Sequence, residues 1–227
     1  MMGASIKSLV NIYTYEAEDF EQQAIKIKKL FYQYKCKTVV IDATGLGIGL
    51  IDFMTKTQID EETGMELPPF GVEGGSYEEA LDQYRNINKM EGIEKHAMYL
   101  IKANAPLNTA AHANAQMQLS SGKIKFLIDE RLASERLMST REGQQMSPSE
   151  RAEYLIPFVQ TSILKEQMVN LIGNNDGINI ILKQANSKTK KDKFSAFEYG
   201  LYYIKEIDDN KKKRRKAGSF LEMMFFS

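Results

Sequence analysis

Apolar residues follow two spacings along this chain, one helical and one typical of buried strands. Between residues 20 and 34 they recur every three or four positions, which predicts a helix with one buried stripe that begins after Asp19. Residues 38–41 form a short apolar run, the pattern of a strand covered on both faces, and the run ends at Asp42. A glycine turn and a second helical stretch follow. This order of elements predicts an α/β fold.

The same two patterns predict the remaining elements. Short runs of β-branched and apolar residues predict strands over 6–15, 97–102, 124–128 and 178–182. Helical spacing predicts helices over 108–119 and 130–140, and a last helix whose apolar stripe begins at Phe194. It also predicts a helical stretch that Pro157 divides, with a second part that carries apolar residues from 163 to 172. Residues 58–88 hold prolines and glycines with little periodicity, so we expect a surface excursion there, with one short helix over 78–85.

Length and composition limit the kind of protein. The 227 residues, 43% hydrophobic and 26% charged, fit one folded domain with a sizeable core, which we place at 1–207. A single cysteine, Cys36, excludes a disulfide framework and a cysteine-based zinc site, and we expect it to be a small buried hydrophobic residue. No apolar run is long enough for a membrane span and the first residues do not resemble a signal peptide, so we expect no membrane partner and a cytoplasmic location.

Charge is balanced in total but not along the chain. The 30 basic and 30 acidic residues cancel, which by itself argues against a nucleic-acid partner. Residues 183–216, however, contain twelve basic and five acidic side chains, so this stretch is strongly positive and the rest is equally negative. The asymmetry fits a polyanionic partner, and it equally fits a solvated helix with a frayed basic tail. We expect a basic, then apolar, disordered tail over 208–227.

Asp42 and the glycines after it are the first candidate for chemistry. In open α/β sheets, ligands gather beyond the carboxyl ends of the strands, and Asp42 ends a predicted strand. A carboxylate is a hard ligand suited to Mg²⁺ or Mn²⁺, and Gly45, Gly47 and Gly49 would let a backbone approach closely. Asp42 could instead cap the following turn, with the glycines serving only tight packing. A nucleotide-cofactor site fits less well, since the glycine spacing matches neither dinucleotide nor P-loop motifs.

Asp192 is the second candidate. It stands in the basic run Lys190-Lys191-Asp192-Lys193, directly before the last helical stripe, where the helix dipole favours an ionised carboxylate. A simple N-cap explains the residue as well. Asp129 also ends a predicted strand, and we keep it as a reserve metal ligand that N-capping explains well enough.

Several segments together resemble the nuclease domain of the tailed-bacteriophage terminase large subunit, over residues 8–207. The most specific is VVIDATGLGIGL at 39–50, and KDKFSA at 191–196 supports it. Further segments complete the match: VNIYT at 10–14, FEQQA at 20–24, IKANAP at 101–106 and SGKIKF at 121–126.

The resemblance implies an RNase H-like fold, a mixed sheet flanked by helices, and a two-metal endonuclease that cuts concatemeric viral DNA during packaging. Asp42 matches the family's second catalytic aspartate, on a central strand, and Asp192 matches the third. Such carboxylates would hold two Mg²⁺ or Mn²⁺ ions, one activating water and one stabilising the leaving oxygen. Lys188, Lys190, Lys191 and Lys193 would contact phosphates of double-stranded DNA without reading sequence. The implied partners are the terminase ATPase module, the small terminase subunit and the portal, and the implied location is the cytoplasm of the bacterial host.

The family's first catalytic aspartate has no match in this chain. It would lie on an opening strand upstream of residues 6–15, so we expect the sheet to lack its opening strand or strands. This departure motivates a second hypothesis, a non-catalytic fragment that serves as a DNA-binding or assembly module.

Overall fold

A computed structural model describes the backbone of residues 6–15, 18–45, 47–76, 82, 84 and 86–225, with side chains as far as residue 213. The described helices, in chain order, are α1 (Phe20–Gln33), α2 (Gly47–Met54), α3 (Ala105–Ser120), α4 (Glu130–Met138), α5 (Arg141–Gln145), α6 (Pro148–Val169) and α7 (Asp192–Phe225), with a 3₁₀ turn at Ile87–Lys89. The described strands are β1 (Lys7–Ser8), β2 (Val39–Asp42), β3 (Gln58–Ile59), β4 (Glu66–Leu67), β5 (Phe70–Gly75), β6 (Glu94–Ile101), β7 (Ile124–Lys125), β8 (Leu171–Asp176) and β9 (Asn179–Gln184).

The chain divides into two compact units, where the sequence predicted one domain over 1–207. Tyr15–Leu107 with Tyr199–Ser227 form one, here called the sheet unit. Met1–Thr14 with Asn108–Glu198 form the other, the helical unit. The chain passes from one unit to the other three times, and such a division leaves no signal in local hydrophobic spacing.

The sheet unit is built on three parallel strands in the order β2-β6-β5. β2 and β6 pair in regular register from Val39 opposite Met98 to Asp42 opposite Ile101. β2 lies at the edge of this three-stranded sheet, whereas the resemblance implied a central strand for Asp42. The parallel arrangement puts the carboxyl ends of all three strands at one end of the sheet, where ligands gather in open α/β sheets.

An apolar cluster fills the interior of the sheet unit. α1 begins at the N-cap Asp19, whose carboxylate accepts from the Gln22 amide, and buries the stripe that contains Ala24 and Phe31. The Phe31 ring packs 4.7 Å from the ring of Phe70, which is fully buried. Apolar surface removed from water contributes about 25 cal/mol per Å², so these contacts stabilise the unit.

Lys28 is fully buried in this apolar setting. Its ammonium donates to the Lys56 carbonyl oxygen at 2.6 Å and lies 5.4 Å from the centre of the Phe70 ring. Burial lowers the pKa of the Lys28 ammonium to about 8, because the charged form loses its hydration. The sequence placed this residue beside the buried stripe of α1 and gave no sign of its burial.

The helical unit has a different interior. α4 and α6 pack together, the short strands β1 and β7 pair in parallel, and β8 and β9 form an antiparallel hairpin. Half of its buried apolar residues are alanines, Ala111, Ala115 and Ala133, and the others are Leu137, Leu164 and Phe194. Several polar residues are buried beside them: Asn114, Gln118, Thr161, Gln167 and Glu198.

Four predictions of structure are wrong. The strand expected over 6–15 is confined to Lys7–Ser8, and residues 163–172, expected to be helical throughout, end in the strand β8. Pro157 lies inside the continuous helix α6 and does not divide it. Residues 58–88 are not a surface excursion, because they supply β3, β4 and β5 with buried Leu67, Phe70 and Val72. The short helix expected over 78–85 lies largely outside the described residues.

The fold is mixed α/β with parallel and antiparallel sheets, as predicted; its assignment to the RNase H-like class stays a prediction. α7 includes most of the residues expected to be a tail, and the disorder of that tail stays a prediction as well. Within the described part of the chain, no helix combines the length and apolar character needed to cross a membrane.

Candidate active site

Asp42 ends β2 with an exposed side chain between two buried neighbours, Ile41 and Ala43. The backbone stays in the sheet just beyond it, because the Ala43 amide donates to the Ile101 carbonyl oxygen at 2.7 Å. Oδ1 of Asp42 accepts from the Thr44 amide at 3.0 Å, so the carboxylate is oriented by its own turn. The result is one fixed, solvent-facing carboxylate at the carboxyl end of a parallel strand.

The glycines after Asp42 have packing reasons for being glycine. A Cβ on Gly47 would lie 1.7 Å from the Asp42 carbonyl oxygen, and a Cβ on Gly49 would lie 2.6 Å from the Phe20 ring. Gly45 has φ +58°, a left-handed conformation that side chains disfavour. The tight-packing role of the glycines and the turn-capping role of Asp42 are therefore present, and close approach of a ligand to this turn stays a prediction.

Two further polar groups lie at the same end of the sheet. Ser76 follows β5 and Lys102 follows β6, and the Lys102 amide donates to Oγ of Ser76 at 3.0 Å. The Ser76 amide donates in turn to the Leu100 carbonyl oxygen at 3.0 Å. Lys102 is exposed and adds a cation to the end of the sheet that carries Asp42. Sequence reasoning missed it, although its place at the end of a predicted strand was a usable signal.

A divalent ion fits the donor chemistry of Asp42. Mg²⁺ prefers carboxylate oxygens, keeps several waters, and is commonly held by one or two carboxylates together with substrate phosphates. An exposed, oriented carboxylate beside a lysine suits that kind of open site. Among the residues the structure describes, no three His, Cys, Asp or Glu side chains form a metal-binding cluster. Both ions of the implied two-metal site thus stay a prediction.

Asp192 is the first residue of α7 and is exposed. The start of this helix is held by neighbours in the helical unit: the Phe194 amide donates to Oε1 of buried Gln167 at 3.1 Å, and Nζ of Lys193 donates to Oγ1 of Thr14 at 2.5 Å. The loop before it is held by Gln184, whose side-chain amide donates to the Thr189 carbonyl oxygen at 2.8 Å. Asp192 is thus presented on an ordered helix start.

The structure groups the predicted residues into two sets. Asp192 and the lysines at 188, 190, 191 and 193 lie together in the helical unit, where all but the half-buried Lys193 are exposed. Asp42 and its glycines lie in the sheet unit. The convergence of Asp42 and Asp192 on one metal site stays a prediction. Asp129 is the N-cap of α4, with Oδ1 accepting from the Arg131 amide at 3.0 Å, so its capping role is confirmed.

A buried pair in the helical unit was missed. Nδ1 of His112 lies 2.6 Å from Oε2 of Glu198, and the two side chains are 12% and 4% exposed. The two residues are 86 positions apart, so sequence spacing could not have paired them. The contact joins α3 to α7 within the helical unit and satisfies both buried polar groups.

Comparisons of the chain with protein-family models, with curated proteins and with solved structures find no match. The family resemblance therefore rests on the sequence segments quoted above, and function has to be argued from the site.

Proposed function

We propose that the protein is a metal-dependent endonuclease acting on double-stranded DNA, of the kind found in terminase large subunits. The observation that carries the proposal is Asp42, an exposed carboxylate oriented by its own turn at the carboxyl end of a parallel strand. The resemblance of residues 39–50 to the terminase nuclease motif independently selects the same residue.

Each part of the chain has a defined role in this proposal. Asp42 holds the ion through a carboxylate oxygen, and Asp192 is the second proposed ligand. A bound divalent ion would supply Lewis-acid activation of water and charge stabilisation on the phosphodiester. Lys102 neutralises phosphate beside Asp42, and the lysines from 188 to 193 bind the DNA backbone without reading bases.

The wider assignments follow from the resemblance alone. They are the concatemeric viral DNA substrate, the ATPase module, the small terminase subunit and the portal as partners, and the host cytoplasm as the location. They belong to the proposal and depend on it.

Plasmid cleavage with Mn²⁺ tests the role of Asp42. Asp42→Asn keeps an oxygen that can accept from the Thr44 amide and removes only the charge, so it should fold normally and lose at least about 100-fold in cleavage rate. Asp19→Asn is the matched control, since it makes the same change at an exposed residue of the same unit that also accepts a backbone amide, at 2.8 Å. Equal cleavage by Asp42→Asn and the parent would refute the role of Asp42.

A second function, a non-catalytic DNA-binding or assembly module, has one observation in its favour. The exposed lysines before α7 are suited to phosphates whether or not the chain cleaves DNA. Salt-sensitive DNA binding without Mn²⁺-dependent cleavage, in a parent protein shown to be folded, would favour this function.

A further inference from the structure

The sheet unit has a second concave site at the opposite end of its sheet from Asp42. A cleft with a volume of about 610 Å³ opens where β2 and β6 begin, between these strands and α7. Thr38 and Lys95 line it from the strands, and Tyr203 and Lys211 line it from the helix. Its volume is in the range of small-molecule sites.

Three lysines surround this cleft: Lys37, Lys95 and Lys211. None of them has an ion pair or a hydrogen bond with a described residue, although their positive charges share one concavity. The three lysines outnumber Glu73, the one carboxylate among the described lining residues, and clefts with an excess of one sign of charge concentrate counter-ions. An anionic ligand would relieve this repulsion.

The one carboxylate among the described residues lining the cleft is already engaged. Glu73 accepts from the Tyr203 hydroxyl at 2.7 Å, and the same hydroxyl lies 2.8 Å from Oγ1 of Thr38. Hydroxyl groups rather than lysines thus satisfy Glu73, and the ammonium groups remain available to a ligand.

The backbone of β6 is distorted where it meets the cleft. His96 has φ +59°, a conformation rare for residues other than glycine. The register with β5 shifts there, since Phe70 pairs with Glu94 but Val72 pairs with Met98, so β6 bulges over the intervening residues. Bulges commonly re-aim side chains beside functional sites, and this one carries Lys95 and His96 to the cleft.

The floor of the cleft is apolar. Val40, Ile204 and Ile207 line it, and the Tyr203 ring packs 4.7 Å from the ring of Tyr99. A bare inorganic anion would leave this floor uncovered, whereas a ligand with a flat apolar body would cover it. Phosphate on the lysines and a base on the apolar floor satisfy both parts of the site.

We propose that this cleft binds a nucleotide, with its phosphate between Lys37, Lys95 and Lys211 and its base against Val40, Ile204 and Ile207. The nucleotide is either free or the end of a DNA strand, since both present the same chemistry. The site lies at the end of the sheet away from Asp42 and requires no metal, so the proposal stands or falls separately from the nuclease activity.

Cys36, the one cysteine in the sequence, lines the cleft and is exposed. Its alkylation by iodoacetamide, followed by intact mass in EDTA, is therefore a site-specific readout that no nuclease activity can affect. We expect dAMP to slow the alkylation in a saturable way. Protection by dAMP identifies a free nucleotide, and protection only by a single-stranded oligonucleotide identifies a strand end. If neither slows the alkylation at millimolar concentration, the proposal is wrong.

A pair of double variants tests the lysines. Lys95→Gln with Lys211→Gln should weaken protection by at least about tenfold, because each lost contact is a charged hydrogen bond. Lys56→Gln with Lys89→Gln removes the same charge from exposed positions of the same unit outside the cleft. Equal protection in the two double variants overturns the assignment.

One measurement needs no variant. Anionic Ellman's reagent should react with Cys36 faster at low salt than at high salt, whereas neutral dithiodipyridine should not, because the lysines attract only the anion. Equal salt dependence for both reagents would contradict a cationic cleft.

Discussion

The two units of the chain bury different kinds of residue, and different contacts therefore position the candidate aspartate in each unit. The sheet unit packs aromatic and branched side chains against parallel strands, and Asp42 stands at the end of one of these strands. The helical unit buries fewer large apolar side chains and several polar ones, and Gln167 there accepts a hydrogen bond from the Phe194 amide. Asp192 lies two residues before Phe194 in the chain.

The positions of the two aspartates therefore depend on different forces. The position of Asp42 is fixed by apolar packing of α1 and α2 on the sheet, which tolerates few changes in volume. The position of Asp192 is fixed by buried hydrogen bonds, which are costly when one partner is removed. Substitutions in the sheet unit should therefore cost stability through lost apolar packing, and those in the helical unit through buried polar groups left without a partner.

The largest effect is expected from Phe70→Ala in the sheet unit. The ring is fully buried, packs against the rings of Phe31 and Tyr32, and lies beside the Lys28 ammonium, so its loss should cost about 3–5 kcal/mol in the free energy of unfolding. Urea denaturation followed by circular dichroism measures it. A cost below about 1 kcal/mol would show that apolar packing does not dominate this unit.

Gly47→Ala should come next, at about 1–3 kcal/mol, because the added Cβ would collide with the Asp42 carbonyl oxygen 1.7 Å away. It should also reduce Mn²⁺-dependent cleavage by displacing Asp42. Gly200→Ala is the control, because Gly200 lies in α7 and an alanine methyl group there would meet no described atom within 4 Å beyond its chain neighbours and the adjacent helix backbone. Alanine should therefore stabilise by up to about 1 kcal/mol. Equal stability of the two variants would contradict the close contact.

Gln167→Met tests the polar interior of the helical unit. It removes the acceptor of the buried Phe194 amide at nearly constant side-chain volume, so it should cost about 1–3 kcal/mol. Amide hydrogen exchange should rise at the start of α7. Gln116→Met, at an exposed position of α3, is the matched control and should change stability by less than about 0.5 kcal/mol. Unchanged exchange in Gln167→Met would show that the helix start is held by other contacts.

The last effect is a pH dependence from Lys28, which is smallest when taken for each pH unit. Because its pKa is lowered to about 8 in the folded protein, the unfolded chain binds the proton more tightly, and stability should rise with pH from about 8 towards 10. The slope is at most about 1.4 kcal/mol per pH unit. Burial raises the pKa of the Tyr32 and Tyr99 hydroxyls to about 12. The unfolded chain loses these protons at a lower pH than the folded protein, so stability should fall again above the window of Lys28.

Lys28→Met isolates this contribution, since methionine keeps the apolar stem. The difference in unfolding free energy between parent and variant should change between pH 8 and 10 and be constant at pH 6–7. A pH-independent difference would show that Lys28 titrates normally in the folded state.

Sequence patterns predicted the elements that depend on the spacing and capping of their own residues. The stripe of α1 with its N-cap Asp19, the apolar run of β2 and the start of α7 at Asp192 all follow from spacing and capping. β5 was missed because Pro68 and Pro69 precede it and three glycines lie within it, features that usually indicate a loop. Its strand character comes from pairing with β6, which is a long-range contact.

The candidate site was predicted only in part for the same reason. Asp42 could be predicted because a strand and a glycine turn flank it in sequence. Lys102, the bulge at His96 and the pair of His112 with Glu198 depend on which segments meet in space. Cys36 was expected to be buried and is exposed, because it follows the last turn of α1, beyond the buried stripe.

Direct binding of Mn²⁺, measured by the loss of its free-ion electron paramagnetic resonance signal on titration, tests the central claim that Asp42 holds a divalent ion. The parent and Asp19→Asn should bind Mn²⁺ equally, and Asp42→Asn should bind at least about tenfold more weakly. Equal Mn²⁺ binding by Asp42→Asn and the parent, with both proteins folded, would contradict it.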